Sequence, residues 1–328
     1  MTSAADRSRR VVCLGEALVD LVCEQPVSGL GEAPAFVPRL GGSLANIAIA
    51  AARFGARVEM LGGAGNDEWG RWLRDGIAAE GVGTERFVLM PGAGTSHAFV
   101  AVSPEGEPAF AFYGDEERPA AHAGDDLDPA LSGEPGVLVV GSDTLLGAAE
   151  RQVTMRAAAL ASERGWTVLC DPNLRPNRWE SREEMLTTIR ALVAEATVAK
   201  CNVHEAEALT GVTGAEAAGR ALDALGPEVV VVTRGGEGAL AVAADSVREV
   251  APAAATVVDA TGAGDSVAGV IAAGLALGAR PAPDSLAPVI ELAMETAAGV
   301  VSVWGATAGL PPAAGARERL ARALSSAS

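Results

Sequence analysis

The chain is nearly devoid of lysine, with Lys200 the only one in 328 residues. A Walker-type phosphate loop needs Gly-Lys-Ser/Thr, and Ala199 precedes Lys200, so that class of nucleotide enzyme is excluded. Schiff-base chemistry would have to rest on this single side chain. Histidine is scarce too, at His97, His122 and His204. Gly264-Asp265-Ser266-Val267-Ala268 approaches the serine-hydrolase elbow, but that fold needs a histidine after its serine and none follows His204. His204-Glu205 lacks the second histidine of a zinc peptidase, which leaves zinc unsupported. The four cysteines, Cys13, Cys23, Cys170 and Cys201, form no Cys-x-x-Cys pair, and a reduced, cytoplasmic chain is expected. No long apolar run occurs either. The uncharged, apolar stretch 266–279 is glycine-rich and too short for a bilayer, so no membrane partner is expected. Near the start, Glu16 and Asp20 interrupt an apolar run, which suits a strand and hairpin better than a signal peptide.

Positive charge is in deficit as a whole, with a net charge of −17. A nucleic-acid backbone is therefore no partner, and an anionic ligand must be held by local donors. What the chain does have is apolar material, 49% of its residues, ample for a sizeable core. Short β-branched runs alternate with helical patterns. "RVVCLGE", "ARVEMLGG", "GVLVVGS", "WTVLCDP" and "EVVVVTRGG" predict buried strands. "SLANIAIAAARFG", "DEWGRWLRDGIAAEG", "GAAERQVTMRAAALASERG" and "SREEMLTTIRALVAEA" predict helices between them. Such alternation implies an α/β fold, a mainly parallel sheet with helices on both faces and ligands beyond the C-terminal strand ends. Two segments break the pattern, "ALVDLVCEQ" and "HAFVAVSPEGEPAFAFYGD" at 97–115, which read as strands without crossover helices. Phe110 and Phe112 alternate with Ala109 and Ala111 there, giving one aromatic face. Either a separate small sheet or a decorated edge of the main sheet satisfies this periodicity.

The densest chemical signal is "DATGAGDSVAGVIAAGLALG" at 259–278, where a β-branched strand expected in "ATVVD" at 255–259 runs into a glycine-rich turn and then a helix. Val267, Val270, Ile271 and Leu275 would form the helix's apolar face. The amides of Gly262, Ala263 and Gly264 would lie unpaired at its N-terminus, where the dipole favours an anion. Asp265 is either an N-cap or a base taking a hydroxyl proton beside that anion hole, its ionised form favoured by the dipole. A dinucleotide fingerprint fails because the third glycine position falls on Val267.

"DATGAGD" resembles the C-terminal signature of the ribokinase-like (PfkB-type) carbohydrate kinases. The stretch from "GGSLANIA" to "AAEGV" at 41–82 resembles their N-terminal signature, and "DPNLRP", "NVHE" and "VVTRGGEG" follow in the family's order. The resemblance implies a three-layer α/β sandwich over 1–328 with a small β-sheet lid from about 16–39 and 96–115. It implies ATP-dependent transfer of a phosphoryl group to a hydroxymethyl group of a small sugar, with Asp265 as base and Gly262, Ala263 and Gly264 as anion hole. Asp20, Gly41, Gly42, Asn46, Asn173 and Arg175 would meet the sugar. Asn202, Glu205, Thr233, Arg234, Gly235, Gly238 and Gly264 would meet the nucleotide. Glu205 would hold Mg²⁺ through water, while the residues alone equally suit an Asn202 N-cap with Glu205 completing a capping box. Asp259 shapes the turn or a K⁺ loop.

"GEALVDLV", "DPNLRP" and Trp179 lean towards fructose, ahead of 2-keto-3-deoxygluconate and a ribose or nucleoside substrate. A non-catalytic sugar sensor is the reading from another class, and loss of the base would mark it. Around Trp304 the chain is shorter than is usual in the family, where relatives shape the adenine pocket. Exposed lid strands offer a surface for a homodimer.

Overall fold

The computed structural model describes residues 9–114 and 119–326; residues 1–8, 115–118 and 327–328 lie outside it. The chain opens with β1 (Arg10–Glu16), β2 (Leu18–Val22), β3 (Val37–Gly41), β4 (Arg57–Gly65) and β5 (Phe87–Met90). β6 (His97–Val102), β7 (Pro108–Tyr113), β8 (Val137–Gly141), β9 (Thr167–Asp171) and β10 (Val198–Asn202) follow. β11 (Val229–Thr233), β12 (Ala239–Ala243) and β13 (Ser246–Val250) complete the strands. The helices are α1 (Ser43–Arg53), α2 (Glu68–Ala79), α3 (Leu127–Ala130), α4 (Ala148–Glu163) and α5 (Arg182–Ala194). α6 (Val203–Thr210), α7 (Ala215–Asp223), α8 (Ala263–Ala276), α9 (Pro283–Val300) and α10 (Ala313–Ser326) come after them.

Nine strands form one sheet in the order β13-β12-β11-β10-β9-β8-β1-β4-β5. Every pair from β5 to β11 is parallel, and the last two strands are added antiparallel. Helices cover both faces, as parallel strands require. Strand alternation sends Val11 and Cys13 of β1 into the core with α1, α8 and α9, and Val12 and Leu14 into the core with α4, α5 and α7. β1, β9, β10 and β11 all end on the same side, and the last residues of β9, β10 and β11, Asp171, Asn202 and Thr233, border the cavities described below. Ligands in such sheets sit beyond these ends.

A second sheet, β3-β2-β6-β7, stands apart from the first. The separate-sheet alternative therefore holds over the decorated edge. β1 and β2 form no hairpin with each other: the chain leaves the large sheet at Glu16 and enters the small one at Leu18. β2 pairs antiparallel with β3 and parallel with β6. Of the span 96–115, residues 97–102 and 108–113 are strands of this sheet, and residue 115 is outside the described residues. Val22, Val100 and Val102 form its small core, against which Phe110 and Trp304 pack.

α8 is buried from Ser266 to Ala276 and crosses α1 closely. A β-carbon on Gly269 would lie 2.5 Å from the Ala50 Cβ and 2.8 Å from the Ile47 carbonyl oxygen, closer than any side chain tolerates. Glycine there sets the depth of the crossing. The N-termini of the two helices converge as a result.

Candidate active site

At that convergence Asp265 is held from α1. Its Oδ1 accepts from Ser43 Oγ at 2.7 Å and its Oδ2 from Asn46 Nδ2 at 2.8 Å. Ser43 and Asn46 stand three residues apart on one helix face, and together they fix both carboxylate oxygens. Burial pushes the Asp265 carboxyl above its ordinary value, while Asn46, Ser43 and the Lys200 ammonium pull the other way. The net displacement is upward, which moves the group towards the range of a working base. The Gly262 N-cap has φ 78°, a left-handed conformation natural to glycine, and a β-carbon there would strike Ala306. Of the three expected anion-hole amides, Ala263 N donates weakly to the Ala260 carbonyl at 3.3 Å. The amides of Gly262 and Gly264 have no protein acceptor among the described residues.

These groups border a cavity of 470 Å³ lined by Asp20, Gly42, Asn46, Asn173, Arg175 and Asp265, among others. Its polar walls include three buried atoms with no protein partner among the described residues: Asn46 Oδ1, Asp171 Oδ1 and Thr261 Oγ1. Asp20 is 4% exposed, its carboxyl has no hydrogen-bond partner among the described residues, and burial next to Asp265 and Asp259, opposed by Arg175, pushes it up to about 8. Buried polar groups left open in this way await a ligand. Gly41 does not line the cavity. A β-carbon on it would lie 2.4 Å from the Asp20 carboxyl, so this glycine makes room for Asp20. Asn173 is the one non-glycine residue with a left-handed backbone among those described, at φ 39°, and its carbonyl accepts from Ser142 Oγ at 2.9 Å. β7 roofs the cavity. Phe110 lies 5.6 Å from the Arg175 guanidinium and Phe112 4.6 Å from that of Arg178.

Asn202 and Glu205 form the capping box. Asn202 Oδ1 accepts from Glu205 N, and Glu205 Oε2 from Asn202 N, each at 2.9 Å. Glu205 Oε1 accepts from Leu174 N at 2.9 Å, tying α6 to the "DPNLRP" loop. Burial, with Asp171 beside it, raises the Glu205 carboxyl, opposed by Lys200 and the two amides. Both oxygens keep a second lone pair and Glu205 borders the cavity, a donor set that fits a hydrated Mg²⁺ reached through water. Asp259 is fully buried. It receives Thr261 N on Oδ1 and Gly305 N on Oδ2, both at 2.9 Å, so it locks the turn to the 305 loop.

A second cavity of 340 Å³ meets the first at Glu107, Ala260 and Gly264. Thr233 and Gly235 line one side, and Val257, Val267, Met294 and Val301 line an apolar wall. Two expected nucleotide residues lie elsewhere. Arg234 pairs with Glu249 at 2.7 Å, outside both cavities, because β13 places that carboxylate beside it. Gly238 sits in the turn into β12 at φ 90°, its Cβ position 2.1 Å from the Val250 carbonyl oxygen. Trp304 packs on the small sheet and not in the second cavity. Sequence reasoning missed Ser43, Asp171, Lys200, Thr261 and Glu107 as site residues. The solitary lysine, two positions before Asn202, was the available signal for one of them.

The family described as pfkB family carbohydrate kinase matches residues 8–313. Fructokinase-1 of Oryza sativa subsp. japonica is 36% identical over 269 residues, covering 81% of this chain and 83% of that protein. Fructokinase from Vibrio cholerae O395, solved with fructose, ADP and calcium ion, superposes with a TM-score of 0.86 at 29% identity, covering 96% of this chain and 100% of that one. Aminoimidazole riboside kinase from Salmonella enterica, solved with aminoimidazole riboside and an ATP analog, gives 0.84 at 26% identity, covering 95% and 99%. The fold is thus ribokinase-like, and the chain belongs to the pfkB family of carbohydrate kinases.

Proposed function

We propose that the chain is an ATP-dependent fructokinase, transferring the γ-phosphoryl group to a hydroxymethyl oxygen of fructose. The observation that carries this reading is the pair of cavities meeting at Gly264, a polar one beside Asp265 and a partly apolar one suited to a nucleotide base. ATP would place its base against Val257, Val267, Met294 and Val301 and its γ-phosphoryl at the α8 N-terminus. The Gly262 and Gly264 amides would stabilise the charge there. Asp265, held by Ser43 and Asn46, would take the hydroxyl proton as the oxygen attacks phosphorus in line. Mg²⁺ would supply charge neutralisation of the phosphates, with Asn202 and Glu205 placing it through water. Asp20, Asn46, Asn173 and Arg175 would bind and orient the sugar hydroxyls. The small sheet would act as a lid that excludes water, with Phe110 and Phe112 as its inner face.

The charge of the polar cavity narrows the substrate. Glu107, Asp143, Asp171, Glu205 and Asp265 face Arg175 and Lys200, beside an Asp20 that burial keeps protonated at neutral pH, so an uncharged sugar is favoured over a sugar phosphate or a 2-keto acid. A monovalent cation beside Asp259 belongs to the same reading, since this buried carboxylate has amide partners and no ion pair among the described residues. Coupled measurement of ADP release with a panel of fructose, ribose, 2-keto-3-deoxygluconate and aminoimidazole riboside tests the proposal. Fructose should give the highest kcat/KM, and ADP release no faster with any sugar than without would leave a binding protein instead.

A further inference from the structure

Lys200 has so far been given no task. Its side chain is 5% exposed, and Nζ donates to Asp171 Oδ2 at 2.9 Å. Among the described residues Asp171 is its only hydrogen-bond partner, although an ammonium carries three N–H donors. A buried cation with open donors is costly unless an acceptor arrives. The acceptor's place is indicated by two observations. Lys200 borders the polar cavity, and a β-carbon on Gly264 would lie 2.7 Å from Nζ. The ammonium therefore sits against the first turn of α8, beside the free Gly262 and Gly264 amides. Asp171, Glu205 and Asp265 around it keep it protonated despite its burial. A lysine present only to neutralise Asp171 would have no need to press against the helix terminus.

We propose that Lys200 is a catalytic residue, its ammonium held by Asp171 so that its open N–H groups donate to the oxygens of the transferring phosphoryl group. This rests on the kinase reading above. In the step the sugar oxygen bonds to the γ-phosphorus and the bond from that phosphorus to the β–γ bridging oxygen breaks. ADP leaves with the electron pair, and the hydroxyl proton passes to Asp265. Lys200 keeps its proton throughout and supplies charge alone. Asp171 is the positioning residue, and Gly264 is small because the ammonium passes beneath it. Arginine would not substitute, since its planar fork is wider than the compact ammonium.

With one lysine per chain, [¹⁵Nζ]lysine labelling gives a single side-chain signal in the wild-type protein. Adding Mg²⁺, ADP, aluminium fluoride and fructose should shift that signal and slow its proton exchange; a signal unchanged from the free protein overturns the proposal. In activity, Lys200→Met should lower kcat by about a hundredfold to a thousandfold, the usual loss for one such donor, with the fructose KM within about threefold. The double variant Lys200→Met/Asp171→Asn removes both charges and covers the case in which the single variant does not fold. Its melting temperature should approach wild type while kcat stays low. Recovery of kcat in the double variant would make Lys200 a structural counter-ion and overturn the proposal. Wild-type ADP release with fructose separates the two layers: its absence fails the kinase reading, whereas its presence with an active Lys200→Met fails only this inference.

Discussion

Asp20→Asn should stabilise the unliganded protein, by an amount that grows with pH. Asp20 is 4% exposed, and burial beside Asp265 and Asp259 lifts its carboxyl from 3.8 to about 8. Unfolded, the group ionises near 3.8, so between those two values the folded chain holds a proton that the unfolded chain has released. Wild-type stability therefore falls as pH rises through the window and levels off above about 8. One unit is worth about 1.4 kcal/mol, and the whole shift sets a ceiling of roughly 5–6 kcal/mol. Effective screening within proteins brings the expected difference to about 2–3 kcal/mol at pH 8, against about 1 kcal/mol or less at pH 5. At about 2 cal/mol/K of unfolding entropy per residue, this is roughly 3–5 °C in Tm at pH 8. Thermal melts of both proteins at pH 5, 6, 7 and 8 provide the assay. The same variant should raise the fructose KM tenfold or more, since an amide replaces the carboxyl that would meet the sugar hydroxyls. A Tm difference that does not change between pH 5 and pH 8 would refute the assignment of Asp20 as a buried, uncompensated acid.

Other expectations follow from the packing. Gly269→Val should push α1 away from α8, because its Cβ position lies 2.5 Å from the Ala50 Cβ. A loss of about 1–3 kcal/mol in a urea titration, with kcat falling as Ser43 and Asn46 lose Asp265, is expected. Ala298→Phe should fill part of the 340 Å³ cavity, raising the ATP KM at least tenfold while the fructose KM stays within about twofold. Because burial raises the Asp265 carboxyl, kcat should fall on the acid side at a pH above the ordinary aspartate value of 3.8. A pH–rate profile flat down to that value would contradict this.

β1, β4, β8, β9 and β11 were legible because inner parallel strands, covered on both faces, read as apolar runs. "VVVVT" of β11 and "VLVVG" of β8 are examples. β5, β10, β12 and β13 were not legible, and the strand expected at 255–259 is irregular chain held by its links to the 301–305 segment. The pairing of β2 with β6 was not legible either, since alternation along a strand says nothing about which distant strand it joins. The Thr-Gly-Ala-Gly-Asp turn announced itself through glycine density. Ser43 did not, as a serine after two glycines is an ordinary feature, and Lys200 stood out only as the chain's single lysine. What brings them to Asp265 is tertiary: the close α1–α8 crossing at Gly269 and the end of β10 beneath Gly264. Arg234 shows the reverse case. Its sequence neighbours Thr233 and Gly235 border the second cavity, but Glu249, distant in sequence, captures its guanidinium.

The central claim is that Asp265 takes the sugar's proton. Asp265→Asn keeps the shape that Ser43 and Asn46 hold but cannot accept that proton, so it isolates the chemistry from the fold. At saturating fructose and Mg-ATP, with a melting temperature within a few degrees of wild type, ADP release should fall by about 10²–10⁴. Turnover within threefold of wild type in the folded variant would contradict the account.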